Sequence, residues 1–237
     1  MPQHIGIVAC SAEGAALCYR TICLKGSDLL GKHDHPELSM HTHSLAKYMD
    51  HIYSNRWDGV AELMLSSAKK LRSAGADFLI CPDNTIHQAF DLVTPRSPLP
   101  WLHIAEEVAH EAKRHGYRRL GILGTRYLME GPVYAEKLKA AGLDHRIPGL
   151  QQRLEINRII FDELVLARFL PQSLAYFTTV IRELANDGCD AVALGCTEIP
   201  LIVTPDNSPL PTLDSTRLLA RAALKKAIGI KESALAS

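Results

Sequence analysis

The sequence predicts an α/β fold of two pseudo-symmetric domains, each a parallel sheet flanked by helices. Three observations predict it. Short apolar runs rich in branched residues recur along the chain, helix-period stretches separate them, and the second half repeats features of the first. The runs at 5–9, 78–81, 120–123 and 191–194 are almost wholly apolar, as parallel strands covered on both faces are. Weaker strand candidates lie at 101–104 and 210–213. Between the strands, 59–74 places Val60, Leu63, Met64, Ala68 and Leu71 on one helical face. The stretches 104–114, 131–141, 155–167, 174–185 and 215–227 read in the same way.

Proline clusters punctuate this alternation. Pro95, Pro98 and Pro100 form one, and Pro205, Pro209 and Pro211 the other; such clusters mark candidate domain crossings. The expected division is 1–97 plus 212–237 as a first α/β domain and 98–211 as a second. Residues 231–237 read as a frayed tail.

Composition narrows the function classes. The 237 residues are 47% hydrophobic and 22% charged, ordinary for a soluble globular chain. Lys and Arg total 26, as do Asp and Glu, so no basic excess points to nucleic acid. No apolar run is long enough to span a membrane. The first residues, Met1-Pro2-Gln3-His4-Ile5, lead into a strand without the regions of a signal peptide. Cys10, Cys18, Cys23, Cys81, Cys189 and Cys196 form no CxxC pair. Reduced thiols in a cytoplasmic protein are the plain reading.

The duplication locates a candidate site. Gly75-Ala76-Asp77-Phe78-Leu79-Ile80 resembles Gly188-Cys189-Asp190-Ala191-Val192-Ala193 at an offset of 113, and Leu71 matches Leu184 at the same offset. Ile5-Gly6-Ile7-Val8 resembles Leu120-Gly121-Ile122-Leu123 at an offset of 115. Carried forward, the offset of 113 superimposes Asp83 on Cys196. Both follow the C-terminal end of a buried strand, where open α/β sheets bind ligands. Halves packed face to face would set the two side chains across an interdomain cleft. Asn84-Thr85 and Thr197-Glu198 follow them at expected helix starts, which suit carboxylates. An acid and a base on opposite faces of one carbon can move a proton there. Two plainer roles compete: Asp83 as a helix N-cap and Cys196 as a small buried hydrophobe.

These residues resemble the cofactor-independent aspartate/glutamate racemase superfamily. Gly195-Cys196-Thr197-Glu198-Ile199-Pro200 is similar to its second-cysteine motif. Asp83-Asn84-Thr85-Ile86-His87 is similar to its first, which normally reads Cys-Asn-Thr-x-His. Leu123-Gly124-Thr125 resembles its Leu-Gly-Thr segment, and Ile156-Asn157-Arg158 lies in a stretch resembling a helix of its second domain. The resemblance implies an isomerase with two pseudo-symmetric domains, a site between them and often a homodimer. It implies deprotonation of a small carboxylate substrate at Cα, with no pyridoxal phosphate, metal or nucleotide. The chain departs in carrying Asp83 where the first catalytic cysteine stands, and Ala9-Cys10-Ser11-Ala12-Glu13-Gly14 in place of Gly-Gly-Met-Gly-Pro. The superfamily also contains decarboxylases and cis–trans isomerases of dicarboxylic acids, in which Cys196 would be proton donor or nucleophile. A non-catalytic ligand-binding protein is a further alternative.

Asp83 and Cys196 are thus the expected acid/base pair, acting on a small acidic amino acid. Ser11, Thr42, Asn84, Thr85, Thr125, Thr197 and Glu198 are expected substrate contacts. His87, His43 and Tyr127 are candidate auxiliary groups. His33, His35, His41 and His43 form two HxH pairs that could suit zinc, but cleft lining is the preferred reading, and no metal is assigned.

Overall fold

The computed structural model describes residues 1–230; the 231–237 tail lies outside the described residues. The chain divides into two compact units, Met1–Ile104 with the segment from Thr216 onward, and Ala105–Ser215.

In the first unit, β1 (Ile5–Ala9) is buried at every position. It pairs in parallel with β2 (Leu38–Thr42) on one side and β3 (Phe78–Ile80) on the other. Helix α1 (Ala12–Leu30) starts on the Ser11 hydroxyl, which accepts a bond from Gly14 N at 3.3 Å. Helices α2 (Leu45–Tyr53) and α3 (Trp57–Ser73) follow β2, and α4 (Phe90–Val93) follows β3. Ile5, Ile7, Phe78 and Ile80 share one core cluster with Cys18 and Ile22 of α1 and with Leu219 and Ala223. The opposite face meets α3. A Cβ on Gly6 would lie 2.6 Å from Leu79 Cδ2 and 3.3 Å from Leu71 Cβ, so a larger residue would push on the packing there.

Helix α5 (Ile104–Arg114) carries the chain into the second unit. There β4 (Arg119–Leu123) is central. Helices α6 (Arg126–Glu130) and α7 (Pro132–Ala140) lead to β5 (Asp144–Arg146), then α8 (Leu150–Asp162) and α9 (Pro171–Asn186) lead to β6 (Ala191–Leu194). β7 (Thr212–Asp214) completes an all-parallel sheet of order β5-β4-β6-β7, and α10 (Ser215–Ala227) returns to the first unit. Ile156, Ile160, Phe177, Ile181, Val192 and Leu194 lie in one core cluster.

Each unit repeats the other's internal wiring. β1 pairs Ile5 with Phe78, and β4 pairs Leu120 with Ala191, the residues matched by the two sequence offsets. Asp77 Oδ2 accepts from His4 N at 2.7 Å, while Asp77 N donates to His4 O at 2.9 Å. In the second unit Asp190 Oδ2 accepts from Arg118 N and Arg119 N at 2.5 and 3.1 Å, and Asp190 N donates to Arg119 O at 2.8 Å. The glycine contact recurs too: a Cβ on Gly121 would lie 2.8 Å from Leu184 Cδ1.

The structure departs from expectation in several places. Strands β2 and β5 and helices α1 and α2 were not expected. Both strands are polar sheet edges, and α1 buries small residues such as Gly14, Ala15, Cys18 and Gly26. The candidate strand at 101–104 is only a single bridge from Trp101 to Leu79, and Ile104 already opens α5. The helix expected over 155–167 stops at Asp162. Buried Glu163 then accepts from Arg158 at 2.8 Å and from Ser173 Oγ, and Ala167 turns with φ 56°. The chain passes between the two compact units at 104/105 and 215/216. Pro100 O accepts from Leu79 N at 2.8 Å and Pro211 O from Val192 N at 2.9 Å. These bonds tie each proline stretch to the sheet it follows.

Candidate active site

Asp83 lies just beyond the C-terminal end of β3. Its carboxylate is half-buried, and Oδ1 accepts from Ile86 N at 3.2 Å. Its carbonyl accepts from His87 Nδ1 at 2.7 Å. Asn84 is buried and Thr85 half-buried, at the start of a short 3₁₀ helix, Thr85–Ala89. Cys81 lies two residues before Asp83. It is fully buried, and burial, then the Asp83 charge, pushes its thiol well above the ordinary range.

Cys196 stands at the matching position beyond β6. It is 8% exposed, and its Sγ donates to Glu198 Oε2 at 2.9 Å. Thr197 Oγ1 donates to the same oxygen at 2.8 Å. Glu198, 4% exposed, therefore presents a carboxylate directly to the thiol. Gly195 has a packing reason: a Cβ would lie 2.3 Å from Leu128 Cδ2 and 3.1 Å from Leu123 O.

The expected helix starts take a different form. A 3₁₀ helix follows each residue, Thr85–Ala89 in one unit and Ile199–Leu201 in the other. Turns this short carry little aligned dipole. The Cys196 thiol is held against the Glu198 carboxylate at 2.9 Å rather than at the start of a long helix.

The other candidates also sit at strand ends. Ser11 caps α1, and Thr125 caps α6 by accepting from Leu128 N at 3.2 Å. Tyr127 is half-buried, with the Arg126 guanidinium 5.5 Å above its ring. Thr42 is exposed at the end of β2, its hydroxyl donating to His43 O at 2.9 Å. His43 meets Ser66 Oγ at 3.2 Å.

A profile of the Asp/Glu/hydantoin racemases matches residues 8–223. The chain belongs to that family. Its members are racemases, so the chain is an isomerase by class. It is 24% identical over 190 residues to the broad specificity amino-acid racemase RacX of Bacillus subtilis (strain 168), covering 79% of this chain and 80% of the relative. A crystal structure of a putative Asp/Glu racemase from Yersinia pestis superimposes with a TM-score of 0.88 at 30% identity, covering 95% of this chain and 99% of that one. An aspartate racemase homologue from Pyrococcus horikoshii OT3 gives a TM-score of 0.83 at 27% identity, with the same coverage.

Within this racemase fold, sequence reasoning missed Tyr48. It is completely buried. Burial, then the Cys81 and Cys10 thiols, pushes its titration upward and keeps the phenol protonated. The overlooked signal was the amphipathic helix α2, with Tyr48 and Ile52 buried one turn apart. The histidine-rich segment is partly strand: His41 lies on β2 and bonds Ser67 Oγ at 2.9 Å, with Lys70 Nζ 2.9 Å from its other nitrogen. Among the described residues, no group of three or more His, Cys, Asp or Glu side chains is placed to hold a metal. No described helix is long and apolar enough to cross a membrane.

Proposed function

We propose that this isomerase interconverts the enantiomers of a small amino acid with an acidic side chain. A proton leaves the α carbon on one face and another arrives on the opposite face, with Asp83 and Cys196 as the two acid/base groups. The observation that carries the reading is equivalence: Asp83 and Cys196 occupy the same position beyond β3 and β6, in two copies of one strand-helix pattern.

The resting pair is an Asp83 carboxylate and a Cys196 thiol. In the forward step the carboxylate takes the Cα proton, the electron pair delocalises into the substrate carboxylate, and the thiol delivers its proton to the other face. Asp83 is then protonated and Cys196 is a thiolate. Exchange of both protons with water restores the start. Glu198, already accepting from the thiol, is the group through which Cys196 gains and loses its proton. Asn84, Thr85, Thr125 and Thr197 hold substrate carboxylates and favour the developing enolate.

Unlike bases make the cycle lopsided. Reference values for Asp and Cys differ by about 4.6 units, or roughly 6 kcal/mol between the resting and inverse forms. The equilibrium constant of racemisation is unity, so kcat/KM is equal in both directions. The asymmetry falls on kcat and KM separately, and on which enantiomer exchanges its proton first.

Proton NMR of amino acids in D₂O, with chiral chromatography, tests the reading. Loss of the Cα signal of aspartate or glutamate, with appearance of the mirror image, is expected. A panel of amino acids showing neither would overturn it, and carbon dioxide release without exchange would move the chain to the decarboxylases.

A further inference from the structure

His87 is 2% exposed in the 3₁₀ helix after Asp83. Its Nδ1 lies 2.7 Å from the Asp83 carbonyl oxygen, and its Nε2 lies 3.3 Å from Ile104 N. A carbonyl can only accept and a backbone N–H can only donate. The ring is therefore neutral, with its proton on Nδ1. Phe90 stacks on it at 4.9 Å and 10°, and His103 meets it edge-on at 4.7 Å. Two bonds and two ring contacts leave the imidazole little freedom.

The bond it makes to Asp83 matters because it reaches the backbone from which the carboxylate projects. Asp83 Oδ1 has a 3.2 Å bond to Ile86 N, within the same turn. The carboxylate projects from the backbone of that turn, and the 2.7 Å contact holds this backbone. Ile104 is the last residue before the chain leaves the first unit. Its N–H anchors the far side of the ring.

We propose that His87 is a positioning residue, a neutral strap that aims the Asp83 carboxylate by holding its own carbonyl between the turn and Ile104. The inference rests on the acid/base reading of Asp83.

The two ring bonds can be removed separately. The amide nitrogen of Asn sits near the place of Nδ1, and the amide oxygen of Gln near that of Nε2. His87→Asn keeps the donor to Asp83 and loses the acceptor for Ile104, and His87→Gln does the reverse. Each variant loses one hydrogen bond, so similar falls in Tm are expected. Misplacement of a reacting group costs on the order of tenfold to a hundredfold in rate. His87→Gln is therefore expected to lose at least about tenfold in kcat with KM within about twofold, whereas His87→Asn stays within about threefold of the parent. Equal kcat in the two variants, or a larger loss in His87→Asn, would overturn the proposal. Nitrogen-15 NMR of the ring should show a proton on Nδ1 alone at neutral pH; a proton on Nε2 would overturn it whatever the activity. If the parent protein exchanges no Cα proton, the proposed function fails instead, and the ring tautomer still decides the strap.

Discussion

Asp77 and Asp190 do the same work in the two units, whereas Asp83 and Cys196, each six residues further on, do not. The first pair accepts backbone N–H groups at the entrance to β1 and β4. It thereby pairs backbone donors where the chain enters the inner strand of each sheet. The second pair lies past the strands, where no ladder bond depends on the side chain. Fold demands are met alike in both units at one end of the sheet. At the other end the halves diverge into a carboxylate and a thiol, the pair we propose for proton transfer. The thiol has Glu198 as its acceptor; at the position of Glu198 the first unit has Thr85.

The largest effects should come from the divergent pair. Asp83→Ala and Cys196→Ala should each lower turnover by about 10²–10⁴, the usual weight of a general acid or base, while both proteins keep their fold by circular dichroism. If either loses nothing by chiral chromatography, the comparison at the strand ends is chemically empty. Glu198→Gln should cost less, about tenfold to a hundredfold in kcat. It leaves the thiol with a neutral partner, and unchanged turnover would show that the Cys196–Glu198 bond is only structural.

The shared wiring gives a stability prediction. Gly6→Ala and Gly121→Ala should each destabilise by about 1–3 kcal/mol through overpacking, and by similar amounts in urea melts. A harmless change at one site beside a severe one at the other would break the equivalence of the two sheets.

The smallest effect separates the polar edge strands. Burial, then the Lys70 charge, holds His41 on β2 below the ordinary imidazole range. The unfolded chain therefore takes up this proton first, and stability is lost as pH falls below about 6.5. On β5, the His145 N–H and then Arg119 hold the Asp144 carboxyl low, so its contribution is lost only as pH falls below the ordinary carboxylate range. Melts of His41→Asn should show less loss between pH 7 and 5 than the parent, by under about 1 kcal/mol after solvent screening. An identical loss would remove His41 from this contrast.

What was legible in the sequence follows the same division. β1, β3, β4 and β6 announce themselves because burial on both faces makes them uniformly apolar. The duplicated Gly-x-Asp is legible because a bond to the strand entrance fixes its spacing. β2 and β5 are sheet edges with polar residues, so no apolar run marks them. The positions of Asp83 and Cys196 were reachable by offset alone. The thiol-to-carboxylate bond was not, since it depends on how the turn folds back. Nor was the His87 strap, whose second partner, Ile104, is distant in sequence and joined only by the packing of β3 against the segment after it.

The most direct measurement follows deuterium entering Cα of L- and D-aspartate separately in D₂O, before interconversion, in the parent and in Asp83→Cys. Unlike bases predict that the parent exchanges one enantiomer well ahead of the other, and that a second thiol brings the two rates together. Equal rates in the parent, or the same imbalance in Asp83→Cys, would contradict the account.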